Sequence, residues 1–198
     1  GKEYLVKNIS ADLSYLAEFQ NMSYYLSLDK LKSYGGAVLA NSVGLGKTDV
    51  GCMVARYYKE LGKRVLIIYP PVIEKHWKRT IEKVGLEEGD VELLSRGMLH
   101  KKDFDYEKYQ GVDLVIVDEA HHFRISKPKS NRRENLENIV RMNPNAHVLL
   151  ITATPINTSL SDFVELLKMF TFGNYRIKFE SEGFLTKMKE IERAVKEN

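Results

Sequence analysis

The sequence predicts an α/β domain in which a mostly parallel sheet carries helices on both faces. Three observations predict it. Short runs such as Ala37-Val38-Leu39-Ala40 and Leu114-Val115-Ile116-Val117 are continuously apolar, the pattern of strands buried on both sides. These runs alternate with stretches of helical periodicity, which implies crossover connections and parallel pairing. A Gly-rich turn, Gly44-Leu45-Gly46, follows the first run and opens a helix.

The elements follow in order. Leu13, Leu16, Ala17, Phe19, Tyr24, Leu28 and Leu31 recur at helical spacing and predict a helix over 11–32. Tyr34-Gly35-Gly36 ends it, and 37–40 is a buried strand. Residues 41–46 form the Gly-rich loop, and a helix over 47–61 closes at Gly62. A strand over 64–69 stops at Pro70-Pro71, and a helix over 72–84 stops at Gly85. Strands are expected at 91–94, 113–117 and 147–151, with helices at 132–142 and 160–170. Asn143-Pro144 is the stop signal of the 132–142 helix. From Gly173 the character changes: residues 176–198 hold six Lys/Arg and five Asp/Glu. We therefore expect one lobe over 1–172 and a charged tail or linker start over 173–198.

Composition narrows the class. The 198 residues are 43% hydrophobic and 29% charged, ordinary for a globular domain. Thirty Lys/Arg against 27 Asp/Glu leave a net charge of only +3, so any nucleic-acid footprint has to be local. One stretch qualifies: residues 121–133 hold Arg124, Lys127, Lys129, Arg132, Arg133 and two His without an acid. A solvated loop is the equal alternative. Cys52 is the only cysteine, which excludes a disulfide framework within the chain and fits a buried small apolar residue. No apolar run approaches the roughly 20 residues of a membrane-spanning helix, and the N-terminus lacks a signal-peptide core. A cytoplasmic protein, nucleoid-associated if prokaryotic, is the expectation, with no membrane partner. The Gly1 start and the charged tail read as an excised piece of a longer chain.

Three motifs carry chemistry. In Gly44-Leu45-Gly46-Lys47-Thr48, glycines allow backbone N–H groups at a helix start to face phosphate oxygens. Lys47 would then reach the β- and γ-phosphates of ATP, and the Thr48 hydroxyl would reach Mg²⁺. The strict phosphate-loop pattern wants Gly where Asn41 stands; the bland reading is a Gly turn before a Lys-led helix. Asp118-Glu119-Ala120-His121 follows the strand over 113–117, about 70 residues after Lys47. Asp118 suits a Mg²⁺ holder and Glu119 a base for water, although acidic residues also cap helices. Thr152-Ala153-Thr154-Pro155 ends the next strand with hydroxyls able to sense the acidic motif, or simply to cap a helix.

These motifs in this order resemble superfamily 2 helicase-like ATPases, and further detail resembles their Swi/Snf-type branch. The detail is Tyr69-Pro70 followed by Trp77-Lys78-Arg79, the run Asp118 to Arg124, and Ala153-Thr154-Pro155-Ile156-Asn157 followed by Ser159-Leu160-Ser161-Asp162-Phe163 and Leu166-Leu167. The resemblance covers roughly 19–170 and implies a P-loop RecA-like first lobe that binds ATP and Mg²⁺. It implies double-stranded DNA as partner, gripped through phosphates near Pro70, Pro71 and, after the next strand, Ser95 and Arg96. Gln20 is the candidate adenine reader. His121 is a candidate bridge from the acidic motif to Thr152. It also implies a second RecA-like lobe carrying arginine fingers, without which this chain alone would hydrolyse ATP very slowly. Where the family carries acidic residues just before the Gly-rich turn, this chain has Asn41-Ser42-Val43.

Other residues read more simply. Trp77, the sole tryptophan, suits core packing better than base stacking. Lys101-Lys102 is a further phosphate candidate. The scattered His residues show no zinc-like spacing. An RNA helicase lobe and a non-catalytic nucleotide-binding module or small phosphotransferase are the competing functions.

Overall fold

The computed structural model describes residues 16–40, 46–87, 89–123 and 130–153. The chain runs α1 (Glu18–Tyr34), β1 (Gly36–Ala40), α2 (Lys47–Glu60), β2 (Val65–Tyr69), α3 (Glu74–Lys83), β3 (Glu92–Ser95), β4 (Leu114–Val117), α4 (Asn131–Met142) and β5 (His147–Thr152). Short 3₁₀ turns lie at Pro71–Ile73, Arg96–His100, Glu107–Tyr109 and Ala120–Phe123.

The five strands form one sheet in the order β1-β5-β4-β2-β3, and every neighbouring pair is parallel. Register aligns Ala40 with Thr152, Val117 with Leu150, Ile68 with Val117, and Tyr69 with Ser95. The C-terminal ends of all five strands therefore share one edge. Open parallel sheets bind ligands along such an edge.

Strand residues alternate between two cores. Val65, Ile67, Tyr69, Leu114, Ile116, Leu149 and Ile151 face the core that also holds Tyr24, Leu28 and Leu31 of α1, Val50 and Met53 of α2, and Trp77 of α3. Leu66, Ile68, Val115, Val117, Val148 and Leu150 face the other, with Leu136, Ile139 and Val140 of α4. Helices thus cover both faces, which is why β2, β4 and most of β5 are apolar at every position. Among the described residues, no helix is long and apolar enough to cross a membrane.

Several boundaries differ from the sequence reading for identifiable reasons. The helix expected over 72–84 begins as a 3₁₀ turn at Pro71–Ile73 and becomes α-helical only at Glu74. The strand expected from 113 starts at Leu114, because the Asp113 carboxylate accepts from Lys63 Nζ at 3.1 Å and from the Arg64 backbone N–H at 2.9 Å. The strand expected over 91–94 runs over 92–95. Asn143 stops α4 as expected and does more. Its buried side chain accepts from the Gly111 and Val112 N–H groups and donates to the Ile139 and Tyr109 carbonyls, which ties the approach to β4 onto α4.

Arg133 corrects the sequence reading. It belongs to the basic stretch over 121–133, yet it is 4% exposed, with its Nε on Glu137 at 2.8 Å and Nη1 on the Phe123 carbonyl at 2.9 Å. It is a core residue and not part of a nucleic-acid footprint. Arg124, Lys127 and Lys129, the expected helix over 160–170 and the tail over 173–198 lie outside the described residues.

Candidate nucleotide site

Gly46 opens α2 in the left-handed region, at φ +66° and ψ +38°. That conformation favours glycine, and a Cβ there would also displace the Gln20 amide and the Asp49 carboxylate, whose Nε2 and Oδ2 lie 1.9 and 2.8 Å from its position. Lys47 and Thr48 form the first turn of α2, where backbone N–H groups have no intrahelical acceptor. Gly44 and Leu45 lie outside the described residues. Gln20 is anchored through its Oε1, which accepts from the Ala17 N–H at 2.8 Å, and its Nε2 approaches the Gly46 carbonyl at 3.5 Å. The structure thus brings Gln20 from α1 to the start of the phosphate-loop helix.

Asp118 directly follows β4, and its backbone N–H bonds the Ile68 carbonyl of β2. The carboxylate is only 5% exposed. Its Oδ1 accepts from the Glu119 N–H, and its Oδ2 accepts from Trp77 Nε1, both at 2.8 Å. Burial pushes the Asp118 carboxyl above the ordinary carboxylate range. The Trp77 and Glu119 N–H bonds oppose that shift, the Glu119 charge adds to it, and the Lys47 cation opposes it. Lys47, at the start of α2, is thus near enough for its charge to act on Asp118 at the end of β4.

Glu119 has φ +51°, the one positive value among described non-glycine residues. This left-handed residue turns the chain from β4 into the Ala120–Phe123 turn, closed by His122 N–H to the Glu119 carbonyl at 3.0 Å. Such backbone strain collects at functional sites. His121 stands between two motifs: Nε2 is 3.2 Å from Glu119 Oε2, and Nδ1 is 3.1 Å from Thr152 Oγ1 at the end of β5. Thr152 is fully buried; Thr154 lies outside the described residues.

The residues expected to meet DNA sit on the same edge. Pro70 is buried, whereas Pro71 is exposed and Val72 is 90% exposed. Ser95 ends β3 and Arg96 starts the following turn. Arg96 Nη1 is shielded from solvent and has no hydrogen-bond partner among the described residues. Burial and the neighbouring Arg132 depress its ionisation, with Glu119 and Asp118 pulling the other way. Lys101 and Lys102 are exposed.

Two arrangements escaped the sequence reading. One is the Trp77–Asp118 bond, for which no spacing rule exists because the partners are 41 residues apart. The other is that Glu119, His121 and His122 offer ligand atoms within 4.8 Å of one another, although their sequence spacing is not zinc-like. Burial, with the neighbouring Arg96, His121 and Arg132, holds the His122 imidazole below its ordinary value, against the pull of Glu119.

The residue types fit magnesium and a triphosphate: a hydroxyl in Thr48, a carboxylate in Asp118, the Lys47 cation that acts on that carboxylate, and a left-handed glycine at the helix start. A model of the SNF2-related domain matches residues 85–192, more than half of the chain. The chain belongs to the SNF2-related domain family. Its relatives agree with that placement. This SNF2-related domain is 27% identical over 186 residues to the uncharacterized ATP-dependent helicase YqhH of Bacillus subtilis, covering 81% of this chain and 31% of that protein. It is 31% identical over 145 residues to the RNA polymerase-associated protein RapA of Vibrio vulnificus, covering 60% of this chain and 15% of that protein. The chain therefore spans about a third or less of these relatives. Its fold is like that of the Sulfolobus solfataricus SWI2/SNF2 ATPase core in complex with dsDNA, at a TM-score of 0.59 and 21% identity, covering 80% of this chain and 36% of that one. The Pyrococcus furiosus Hef helicase domain gives the same TM-score and identity, covering 81% and 37%. At these identities the two structures speak to the fold, which is RecA-like.

Proposed function

We propose that this domain is the first ATP-binding lobe of a DNA-stimulated translocase or helicase-like motor. The observation that carries the reading is the meeting of Lys47, Asp118–Glu119 and the His121–Thr152 contact at one edge of a parallel sheet. Phosphate-loop residues, acidic residues and coupling residues have no shared structural reason to converge there.

In this reading the α2 N-terminus and Gly46, with Gly44 and Leu45 before it, cradle the phosphates, and Lys47 neutralises the β- and γ-oxygens. Thr48 and Asp118 would hold Mg²⁺, which would supply neutralisation of the charge that develops on the phosphates. Glu119 accepts the proton of the attacking water. The water oxygen bonds to the γ-phosphorus as the bond to the bridging oxygen breaks, and ADP leaves with that oxygen. Gln20 reads the base, and His121 relays the state of Glu119 to Thr152 and on to Thr154. Full activity needs a second lobe, whose arginines would contribute roughly 10³ to 10⁵ in rate; this lobe alone hydrolyses slowly.

The nucleic-acid partner in this reading is duplex DNA, met through phosphates at Pro70, Pro71, Ser95 and Arg96. The unpaired Arg96 Nη1 and the double-stranded DNA in the Sulfolobus complex favour it. The test is ATP turnover by the full-length protein with duplex DNA and with RNA. Duplex-stimulated turnover supports the reading. Stimulation by RNA alone supports an RNA helicase, and phosphate transfer to an acceptor without hydrolysis supports a phosphotransferase.

A further inference from the structure

We infer that Trp77 is a positioning residue that sets the magnesium affinity of Asp118 and links the phosphate-loop helix, the acidic strand and the coupling strand. The inference rests on the nucleotide-site reading above and adds a residue to it.

Trp77 lies on α3 and is completely buried, so its N–H needs an acceptor, and the acceptor it finds is a carboxylate of the acidic motif. Its Nε1 donates to Asp118 Oδ2 at 2.8 Å. A buried carboxylate costs free energy unless N–H groups meet it, and the indole supplies one of the two that do. With Oδ1 held by the Glu119 N–H and Oδ2 by the indole, the carboxylate has one orientation. Groups that orient a metal-holding carboxylate tune the metal, and their loss costs 10- to 100-fold in metal affinity or activity.

The same ring lies against the phosphate-loop helix and shares a core with the coupling strand. Gly51, on the second turn of α2 after Lys47, is where a Cβ would meet Trp77 Cη2 at 3.2 Å and Ile151 Cδ1 at 2.9 Å. Ile151 precedes Thr152 on β5 and belongs to the core that holds Trp77. A glycine in a helix interior is unfavourable by roughly 1 kcal/mol relative to alanine; here it makes room for the indole. Trp77 thus sets its benzo edge toward α2, in one core with Ile151, and is bonded to Asp118 by its pyrrole nitrogen. It also follows, on a continuous run of helix, the exposed Pro71-Val72 segment proposed to meet DNA. A displacement of that segment would move the indole and, with it, the orientation of Asp118.

The Trp77→Phe substitution keeps the aromatic bulk and removes the N–H. Binding of a fluorescent ATP analogue to the 198-residue chain is measured across a Mg²⁺ series, with circular dichroism to establish folding. The expected result is a Mg²⁺ midpoint raised tenfold or more, with analogue affinity at saturating Mg²⁺ close to wild type. A packing role would not separate the two. A folded variant with the wild-type Mg²⁺ midpoint overturns the inference and leaves the nucleotide site standing. A wild-type chain that binds no analogue overturns both.

A second measurement needs no Trp77 variant. Because Trp77 is the sole tryptophan, the ¹⁵N-labelled chain has one indole N–H resonance. It should shift on adding Mg²⁺ to the nucleotide-bound chain, and that shift should vanish in Asp118→Asn. A resonance indifferent to Mg²⁺ in the wild type overturns the inference.

Discussion

Asp118 bears the clearest electrostatic cost in the described structure. Its carboxyl is raised chiefly by burial, so in metal-free buffer the folded state holds its proton more readily than the unfolded chain. The stabilising contribution is therefore present below the unfolded value, near 4, and is lost as pH rises through the raised folded value. Asp118→Asn removes the charge but keeps one oxygen for two N–H donors, so its NH₂ faces either the Trp77 or the Glu119 N–H. The pH trend is the test: wild type gains stability on acidification as the carboxyl takes up its proton and the variant does not, so the variant should lose ground to wild type between pH 7 and pH 4. Thermal melts at the two pH values check this; a variant that gains ground at pH 4 would contradict it. Glu119 is different in kind. Glu119→Gln in the full-length protein should retain ATP affinity and lose on the order of 10² to 10⁴ in turnover, the usual worth of a general base. Steady-state hydrolysis beside nucleotide binding separates the two effects.

At the scale of elements, the buried pair on α4 dominates. Arg133 and Glu137 are each 5% exposed, and Arg133 also holds the Phe123 carbonyl at the end of the turn after the acidic motif. Arg133→Ala would remove the 2.8 Å partner of the buried Glu137 carboxylate and its bond to the Phe123 carbonyl. The expected loss is about 3 kcal/mol in chemical denaturation, the usual cost of removing one member of a buried pair. The sequence alone places Arg133 with its basic neighbours, because burial of one arginine is decided by which turn of α4 faces the sheet. Gly51→Ala sets two effects against each other. Alanine gains roughly 1 kcal/mol of helix propensity, while intrusion on Trp77 and Ile151 costs about 1–3 kcal/mol. Overpacking should win, giving a net loss measurable in the same experiment.

For the whole molecule, the parallel sheet was legible because β2, β4 and β5 sit between two helical layers and are apolar at nearly every position. The strand-edge motifs were legible because Gly46 and the strand-terminal acids are sequence-local. The His121 bridge from the acidic motif to Thr152 was legible through the family resemblance; the Trp77–Asp118 bond and the left-handed turn at Glu119 were not. Trp77 meets Asp118 only through the parallel crossover, across 41 residues, and the left-handed Glu119 has no signature in residue type. The 3₁₀ turns at Arg96–His100 and Glu107–Tyr109 are too short to show periodicity. A further expectation belongs at this scale. DNA binding by the full-length protein should be insensitive to sequence and fall steeply with salt, as phosphate contacts require. Arg96→Ala should reduce the slope of log affinity against log salt by about 1, in a fluorescence anisotropy titration over several salt concentrations.

In the proposed function Lys47 and Asp118 flank one magnesium-bound triphosphate. Titration calorimetry of the 198-residue chain with ATP, with and without Mg²⁺, should then show one site strengthened by Mg²⁺. Lys47→Ala should weaken binding under both conditions by roughly a hundredfold, the worth of a charge-assisted hydrogen bond, and Asp118→Asn should remove only the Mg²⁺ enhancement. A folded wild-type chain that binds no ATP, or a Mg²⁺ enhancement untouched by Asp118→Asn, would contradict it.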